Sequence, residues 1–198
     1  MPALPGDRSS PSAESPHSLV SHGDARIRTV RAEDLAQLVR LDKEAFPANP
    51  YRHLVLRQFI DAYREGLLVL EGRAGLDGYV LVSRAVDGSG WILSLGVARA
   101  RRGRGLGRRL MTEALHRLGT DGAVEARLAV HPANEAALGL YKSLGFVAEG
   151  DVRRDYYGPG EDRLLLRLDL AGPGSGRAPG STDTRAAGTL SRSEGRRP

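Results

Sequence analysis

The sequence predicts an α/β (α+β) fold, a single domain in which a mixed, mainly antiparallel sheet is flanked by helices. Between residues 25 and 170, short apolar runs typical of strands interchange with segments in which apolar residues recur every three or four positions, as in amphipathic helices. Glycine-rich turns separate three consecutive strand patterns in the middle of this region, which favours antiparallel pairing. The resulting order, β-α-α-β-β-β-α-β-α-β-β, is typical of a sheet covered by helices.

Six elements are predicted in the first half of this region. They are, in order, a strand at residues 27–30, helices at 32–46 and 52–64, and strands at 67–70, 79–82 and 91–97. Pro47 ends the first helix, because proline lacks a backbone donor and clashes with the preceding turn. A glycine-containing segment joins the strands at 67–70 and 79–82, which are predicted to form a hairpin. The turn at residues 87–90 then leads into the third strand.

Five elements are predicted in the second half. They are a helix at residues 106–118, a strand at 124–130, a helix at 134–144, and a terminal pair of strands at 146–152 and 164–170. Apolar residues recur at intervals of four from Leu106 to Leu118, which gives that helix one apolar face. Asn134 suits the N-cap of the second helix, and Gly145 suits the position just after its end.

Both ends of the chain differ from this region in composition. Residues 1–24 contain four Pro, six Ser and two Gly, and residues 171–198 contain six Gly, three Pro and four Ser. Neither segment has an apolar period, so neither buries enough surface to offset the entropy of ordering. Two disordered tails are therefore predicted around a domain at residues 25–170. Composition favours dispensable ends over docking arms.

Composition also excludes several classes of protein. The absence of Cys excludes disulfides, thiolate nucleophiles and Cys-based zinc sites, and no metal site is expected. No run approaches the roughly 20 apolar residues of a spanning helix, and no signal-peptide pattern is present, so a cytoplasmic protein without membrane contact is expected. The net charge is +5 for the whole chain, −2 for residues 1–24 and +3 for residues 171–198, so the domain carries +4. A basic domain suits an anionic ligand. One Trp and three Phe are few rings for base stacking, so no nucleic-acid partner is expected.

A glycine-rich loop lies between the strand at 91–97 and the helix that follows. It consists of Arg102, Gly103, Arg104, Gly105, Leu106 and Gly107. A helix N-terminus offers unpaired N–H groups and the positive end of its dipole, and glycine lets the backbone approach phosphate oxygens closely. Neighbouring arginines can grip phosphate with two parallel hydrogen bonds. The loop is therefore predicted to bind a phosphate group.

The spacing of residues within this loop indicates which class of nucleotide-binding motif it belongs to. A Walker loop would end in Gly-Lys-Ser/Thr, whereas Arg108 and Arg109 follow Gly107 here. A dinucleotide fingerprint starting at Gly103 would need glycine at position 108. The remaining match, Arg-x-x-Gly-x-Gly from residue 102, resembles the acetyl-CoA pyrophosphate loop of the GCN5-related N-acetyltransferase (GNAT) family.

Three further segments resemble the same family, in the same order along the chain. Residues 92–97 (Ile-Leu-Ser-Leu-Gly-Val) resemble its fourth strand, which implies that the backbone near Leu95 and Val97 pairs with the pantetheine arm of the cofactor. Residues 128–146 carry the pattern L-x-V…N…A…LY…GF, and the opening strand and helix fit as well. The resemblance spans residues 25–170. It implies a GNAT-like fold and transfer of an acetyl group from acetyl-CoA to an amine.

Within that family, the sequence resembles the ribosomal-protein alanine N-acetyltransferases and their N-terminal acetyltransferase relatives. Tyr156 and Tyr157, with Glu161 and Asp162 shortly after them, carry this resemblance. It implies that the paired tyrosines lie near the acceptor. Tyr51 is predicted to join them, although its segment departs from the aromatic residue that the group often has there.

Tyr141 is, by resemblance, the general acid. Acetyl transfer needs a neutral amine, a stabilised thioester oxygen and a proton for the departing thiolate, and a phenol with a pKa of about 10 can supply that proton. Spacing alone would make Tyr141 a core aromatic in one stripe with Ala137 and Leu144, but the context of Asn134 and Gly145 favours the catalytic role. The resemblance also implies that Asn134 contacts the pantetheine or pyrophosphate region.

The general base is harder to assign. The alanine-acetylating group uses a Glu in its fifth strand, and the matching position here is Ala129, which cannot take a proton. His131 is two residues further along and therefore on the same strand face, with an ordinary pKa of about 6.5. An ordinary strand-end His is the alternative interpretation and the favoured one. Glu44, Asp42 or a chain of waters are further candidates.

Four functions fit these observations to different degrees. The first is an N-acetyltransferase for a protein N-terminus or lysine, as a monomer or a homodimer. The second acetylates a small amine such as a polyamine or an antibiotic. The third, a non-catalytic acyl-CoA binder, is suggested by Ala129 and opposed by Tyr141. The fourth is a basic nucleic-acid-binding module.

Overall fold

A computed structural model of the chain describes residues 25–83 and 85–171. The tails predicted to be disordered, residues 1–24 and 171–198, lie outside the described residues, except for residue 171. Within the described ranges, no helix is long and apolar enough to cross a membrane.

Seven strands form one sheet. They are β1 (Arg26–Thr29), β2 (Leu67–Gly72), β3 (Gly75–Val82), β4 (Ser89–Val97), β5 (Glu125–Val130), β6 (Val147–Ala148) and β7 (Leu164–Asp169). Their order across the sheet is β1-β2-β3-β4-β5-β7-β6. Every neighbouring pair is antiparallel except β4 and β5, which are parallel. The predicted mixed, mainly antiparallel sheet is therefore confirmed.

Helices cover both faces of this sheet. They are α1 (Leu35–Ala45), α2 (His53–Ala62), α3 (Leu106–Thr120) and α4 (Glu135–Ser143). α1 and α2 pack on one face, in a buried cluster that includes Ile60 and Tyr79. α3 and α4 pack on the other, in a cluster that includes Leu110 and Tyr141. Because both faces are covered, the whole apolar run 67–70 is buried.

One predicted strand is much shorter in the structure. Residues 146–152 were expected to be extended, but the strand consists of Val147 and Ala148, and one further bond to β7 follows, from the N–H of Glu149 to the carbonyl of Leu165. Gly150 has a left-handed backbone (φ +84°), which turns the chain away from the sheet edge. A single bridge, Arg153 with Arg163, then closes a long turn-rich connection between β6 and β7.

A bulge in β4 creates the opening that positions the site. Along β3, Leu81 lies opposite Ser94 and the next residue lies opposite Ile92, so Leu93 is an extra residue in β4. Such a bulge bends its strand and increases the local twist. The parallel pairing of β4 with β5 ends at Ile92 and Leu128, although both strands continue. We call the opening beyond this last pair the β4–β5 gap.

Candidate active site

β4 presents backbone groups along the β4–β5 gap that β5 does not pair, although Arg102 Nε occupies one of them, the Val97 carbonyl. Ala98 N–H donates to Asp77 O at 2.9 Å, and ladder bonds alternate along an antiparallel strand, so Gly96 is also bonded to β3. The N–H and C=O groups of Leu95 and Val97 therefore point to the opposite edge, which β5 has left. A ligand that contains amide groups can bind such an edge as an added strand would. This is the kind of edge that the predicted pantetheine contact requires.

The glycine loop, residues 102–107, leads from β4 into α3. Gly103 (φ +73°) and Gly105 (φ +75°) have left-handed backbones that side-chain-bearing residues rarely adopt. Gly105 is the N-cap of α3 and no side chain caps the helix, so the first N–H groups of α3 lack partners. Leu106, half-buried against the core, anchors this end of the helix. The loop thus ends in an exposed group of amide donors at the positive end of a helix dipole.

The arginines around the loop fall into two groups. Arg102 Nε donates to the Val97 carbonyl at 3.0 Å, and Arg108 donates to Ser143 Oγ at 2.6 Å, so both tie the loop to the fold. The side chains of Arg104 and Arg109 are exposed and form no ion pair or hydrogen bond within the described part of the chain. A cavity of about 730 Å³ opens beside Arg108 and Arg109, which gives room for part of an anionic ligand.

Asn134 caps α4, as predicted. Its Oδ1 accepts the N–H of Ala137 at 3.2 Å. Gly145 has a φ of +92° just after the helix, which fits its predicted role as the terminating residue. The cap uses only the oxygen of the Asn134 side chain, so its exposed amide nitrogen is still available as a donor. Capping and cofactor contact are therefore compatible.

Tyr141 lies on α4 and is 8% exposed. Its ring packs edge to face against Phe146, with 5.8 Å between the centroids. Burial raises the pKa of the Tyr141 hydroxyl to about 12, so the phenol keeps its proton at neutral pH. The hydroxyl forms no hydrogen bond to any other residue that the structure describes. Tyr141 is thus a protonated donor available to a ligand, as a general acid must be.

The geometry disfavours two of the predicted candidates for the general base. His131 Nδ1 accepts the N–H of Ala133 at 3.1 Å, which places the proton of the neutral ring on Nε2. While this bond is kept, Nε2 is a donor and cannot take a proton. The Glu44 carboxylate accepts the backbone N–H of Arg99 and so closes the turn after β4. The strand position of Ala129 offers no proton acceptor.

The three tyrosines predicted to bind the acceptor come from two connections. Tyr51, between α1 and α2, packs edge to face on Phe59 at 5.6 Å. Tyr156 and Tyr157, between β6 and β7, pack on each other at 4.9 Å and are 36% and 62% exposed. Burial raises the pKa of Tyr51, and the nearby Asp42 carboxylate raises it further. The fold thus brings Tyr51 and Tyr157 together, and Tyr156 packs against Tyr157.

Two residues that the sequence analysis gave no role join these connections. Asn49 Nδ2 donates to Glu161 Oε1 at 2.7 Å across 112 positions of sequence. Arg163 also donates to Glu161, at 2.6 Å, and stacks over the Tyr157 ring at 5.0 Å. We use the name acceptor groove for the surface where the α1–α2 and β6–β7 connections meet, because the tyrosines predicted to bind the acceptor lie there.

The sequence analysis named Asp42 as a candidate base but missed the buried polar chain that Asp42 belongs to. Tyr79 Oη donates to Asp42 Oδ1 at 2.5 Å and lies 2.8 Å from Ser94 Oγ. A serine within the otherwise apolar run of β4 was the available signal. Nothing in the sequence indicated its partners, because they lie on two other elements.

Comparison with known proteins agrees with this geometry. The model of the acetyltransferase (GNAT) family matches residues 33–146. The chain belongs to this family. It therefore transfers an acetyl group from acetyl-CoA, its co-substrate, to an amine.

Individual relatives and structures support the same assignment. The chain is 29% identical over 158 residues to an N-alpha-acetyltransferase of Sulfurisphaera tokodaii, covering 73% of this chain and 93% of that one. It is 36% identical over 126 residues to the N-alpha-acetyltransferase RimI of Mycobacterium tuberculosis, covering 64% and 72%. The crystal structure of the ribosomal-protein-S18-alanine N-acetyltransferase from Escherichia coli superposes with a TM-score of 0.65 at 23% identity, covering 78% and 99%. This last likeness shows the fold.

The first prediction concerns the cofactor loop. A β-carbon at Gly107 would meet Leu140, Val97 and Leu95 at 3.5 to 4.0 Å, which is ordinary contact, so Gly107→Asp should fold. Its carboxylate would stand among the free amides of α3, and we expect acetyl-CoA affinity to fall about 100-fold in calorimetry because like charges would be juxtaposed. Gly119→Asp, on the last turn of the same helix with open space around it, is the control and should bind normally. Equal affinity in both variants would place the pyrophosphate elsewhere.

The second prediction concerns Tyr141. Tyr141→Phe removes the hydroxyl and keeps the ring that packs against Phe146. We expect turnover to fall by about 10²–10⁴-fold, the usual worth of a positioned acid, with acetyl-CoA affinity unchanged. Single-turnover kinetics should be used, so that chemistry and not product release is measured. Wild-type rates in this variant would remove Tyr141 from the mechanism.

Proposed function

We propose that the acceptor of this N-acetyltransferase is the α-amine of a protein N-terminus. The observation that carries the proposal is the Asn49–Glu161 hydrogen bond, which joins the two connections beside the acceptor groove. A surface that two joined connections flank suits an extended peptide end, which can contact both of them. The relatives named above as N-alpha-acetyltransferases support the same class of acceptor.

The charges around the groove support a peptide over a small polycation. Arg163 and Asn49 hydrogen-bond to Glu161, and these bonds hold the pKa of its carboxyl below the usual range. The charge of Glu161 is thus already matched by Arg163. Asp162 accepts the backbone N–H of Asp155, so it serves the turn. A polyamine site would need carboxylates without partners, whereas tyrosine rings offer apolar contact and hydrogen bonds to a peptide.

The chemistry divides between the two sides of the β4–β5 gap. The amine nitrogen attacks the thioester carbon, the carbon–sulfur bond breaks, and the thiolate takes the phenolic proton of Tyr141. The raised pKa of Tyr141 keeps this proton in place until the thiolate forms. The free backbone edge at Leu95 and Val97 orients the cofactor arm, and the loop amides hold its phosphates.

An acceptor screen tests the proposal. Labelled acetyl-CoA is incubated with the enzyme and a peptide that begins with alanine and contains an internal lysine. The matched controls are the same peptide with a blocked N-terminus, spermidine and an aminoglycoside. We expect label in the free peptide alone, on its α-amine. Label in the blocked peptide would make lysine the acceptor, and label in spermidine or the aminoglycoside alone would favour a small-molecule amine.

A further inference from the structure

A buried carboxylate is connected to β4 by a chain of hydroxyl groups. Asp42 on α1 and Tyr79 on β3 are both 0% exposed, whereas Ser94 on β4 is only half-buried. The chain of contacts, 2.5 Å from Asp42 Oδ1 to Tyr79 Oη and 2.8 Å from Tyr79 Oη to Ser94 Oγ, therefore runs from the interior toward the surface. These contacts are separate from those that hold the cofactor loop.

The hydrogen atoms of this chain have a defined direction. An ionised carboxylate only accepts hydrogen bonds, so the Tyr79 hydroxyl donates to Asp42. The oxygen of Tyr79 is then free to accept, and Ser94 donates to it. The lone pairs of Ser94 Oγ are left for a donor from outside. Every hydrogen in the chain thus points toward Asp42, which is the arrangement that conducts a proton inward.

The outer end of the chain lies between the two halves of the site. Ser94 immediately precedes Leu95, whose backbone borders the β4–β5 gap. Its side chain shares the face of Tyr79, on which α1 packs. The second oxygen of Asp42 accepts the N–H of Tyr51 at 2.6 Å, and Tyr51 lies beside the acceptor groove. Asp42 is therefore bonded directly to Tyr51 on the acceptor side and, through Tyr79, to the strand that borders the cofactor.

The electrostatics of Asp42 suit a proton acceptor. Burial raises its pKa, whereas the hydrogen bonds from Tyr79 and from the N–H of Tyr51 lower it. Among the described residues, Asp42 accepts hydrogen bonds from Tyr79 and from the N–H of Tyr51, and neither of these donors carries a charge at neutral pH. The pKa of Tyr79 is raised well above its usual value, chiefly by burial, so it takes part as a neutral phenol. A carboxylate with a raised pKa is a stronger base than an exposed one.

We propose that Ser94, Tyr79 and Asp42 form a relay that removes the proton from the incoming amine, which supplies the base that position 129 lacks. The nitrogen–hydrogen bond of the ammonium group breaks as Ser94 Oγ takes its proton. Ser94 passes its own proton to Tyr79 Oη, and Tyr79 passes its own to Asp42 Oδ1. The neutral amine then attacks the thioester.

The protons balance over the cycle. The proton on Asp42 returns to solvent by the same chain, which accounts for the one proton released per acetyl transfer to an ammonium group. The second proton of the nitrogen, lost after the new bond forms, replaces the one that Tyr141 gives to the thiolate. Only Ser94 touches the amine and is a catalytic residue, whereas Tyr79 and Asp42 act through it. The relay rests on the proposed function only for the identity of the amine.

The test compares turnover with pH in Ser94→Ala, Tyr79→Phe, Asp42→Asn and the wild type. At pH 7 the kcat/KM of each variant for the amine should fall about 10²-fold, which is the lower end of the usual rate contribution of a general acid or base. The affinity for acetyl-CoA should not change. The loss should shrink as the pH rises through the pKa of the amine, because an amine that arrives neutral needs no relay. The loss should shrink near pH 8, approximately, when the acceptor is a peptide α-amine. It should shrink near pH 10, approximately, when the acceptor is an amine with the ordinary pKa of lysine.

Three comparisons separate a relay from mere packing. Ser94→Thr keeps the hydroxyl and should restore activity. The double variant Ser94→Ala/Asp42→Asn should be no slower than the slower single variant, because the chain acts as a unit. Ser89→Ala is the control, because it removes another β4 hydroxyl that donates to a carboxylate, that of Glu125. Ser89 lies where β4 and β5 are still paired, so this variant should behave as wild type.

Different results overturn the relay and the proposed acceptor, so the two proposals are tested separately. The probes are an alanine-starting peptide and spermidine, since the relay serves any amine. Wild-type kcat/KM in Ser94→Ala at pH 7, or a loss that stays constant with pH, would overturn the relay. Acetylation of spermidine alone would overturn the proposed acceptor, and the relay would then be decided by the variants' pH profiles on spermidine.

Discussion

The separation of β4 from β5 is the constraint on which the site depends. Two parallel strands that stayed paired to their ends would satisfy each other's backbone groups and leave nothing for a ligand. Here the extra residue Leu93 bends β4 where the Ile92–Leu128 pairing ends. β5 remains bonded to β7 as far as Val130, so the sheet stays anchored on both sides of the gap. The free edge is therefore held open by the fold itself.

The remaining parts of the site are placed relative to this gap. The glycine loop directly continues β4, so the free edge is followed by the free amides of α3. α4 follows β5 and carries Tyr141 on the same side of the sheet as α3. The tyrosines of the acceptor groove come from the other connections. The residues proposed for cofactor binding, proton donation and acceptor binding thus lie on separate elements.

The sequence predicted those features that depend on neighbours along the chain. The apolar run 67–70, the glycine loop and the caps at Asn134 and Gly145 are local patterns with a direct physical cause, and the structure has each of them. The predicted strand 146–152 failed because Gly150 turns the chain, a local signal that the periodicity outweighed. The resemblance to the family also singled out Tyr141, whose role as the general acid stays a prediction.

The features that escaped prediction join residues distant in sequence. The Asn49–Glu161 bond spans 112 positions, and Asp42, Tyr79 and Ser94 come from α1, β3 and β4. Periodicity reports which face of an element a residue occupies, but it does not report which polar group lies opposite. The bulge at Leu93 is of the same kind, because an extra residue is defined only by the partner strand. The proposed relay therefore could not be drawn from the sequence, because it depends on contacts among three elements.

Amide hydrogen exchange followed by NMR, with and without acetyl-CoA, tests the central role of the β4–β5 gap most directly. Leu95 and Val97 should exchange rapidly in the free protein, since their N–H groups face the gap, and should become protected when acetyl-CoA binds. The amide of Gly96 lies between them and is bonded to β3, so it should be protected in both states and serves as the internal control. Protection of Leu95 and Val97 in the free protein, or exchange that acetyl-CoA leaves unchanged, would contradict a free edge that receives the cofactor.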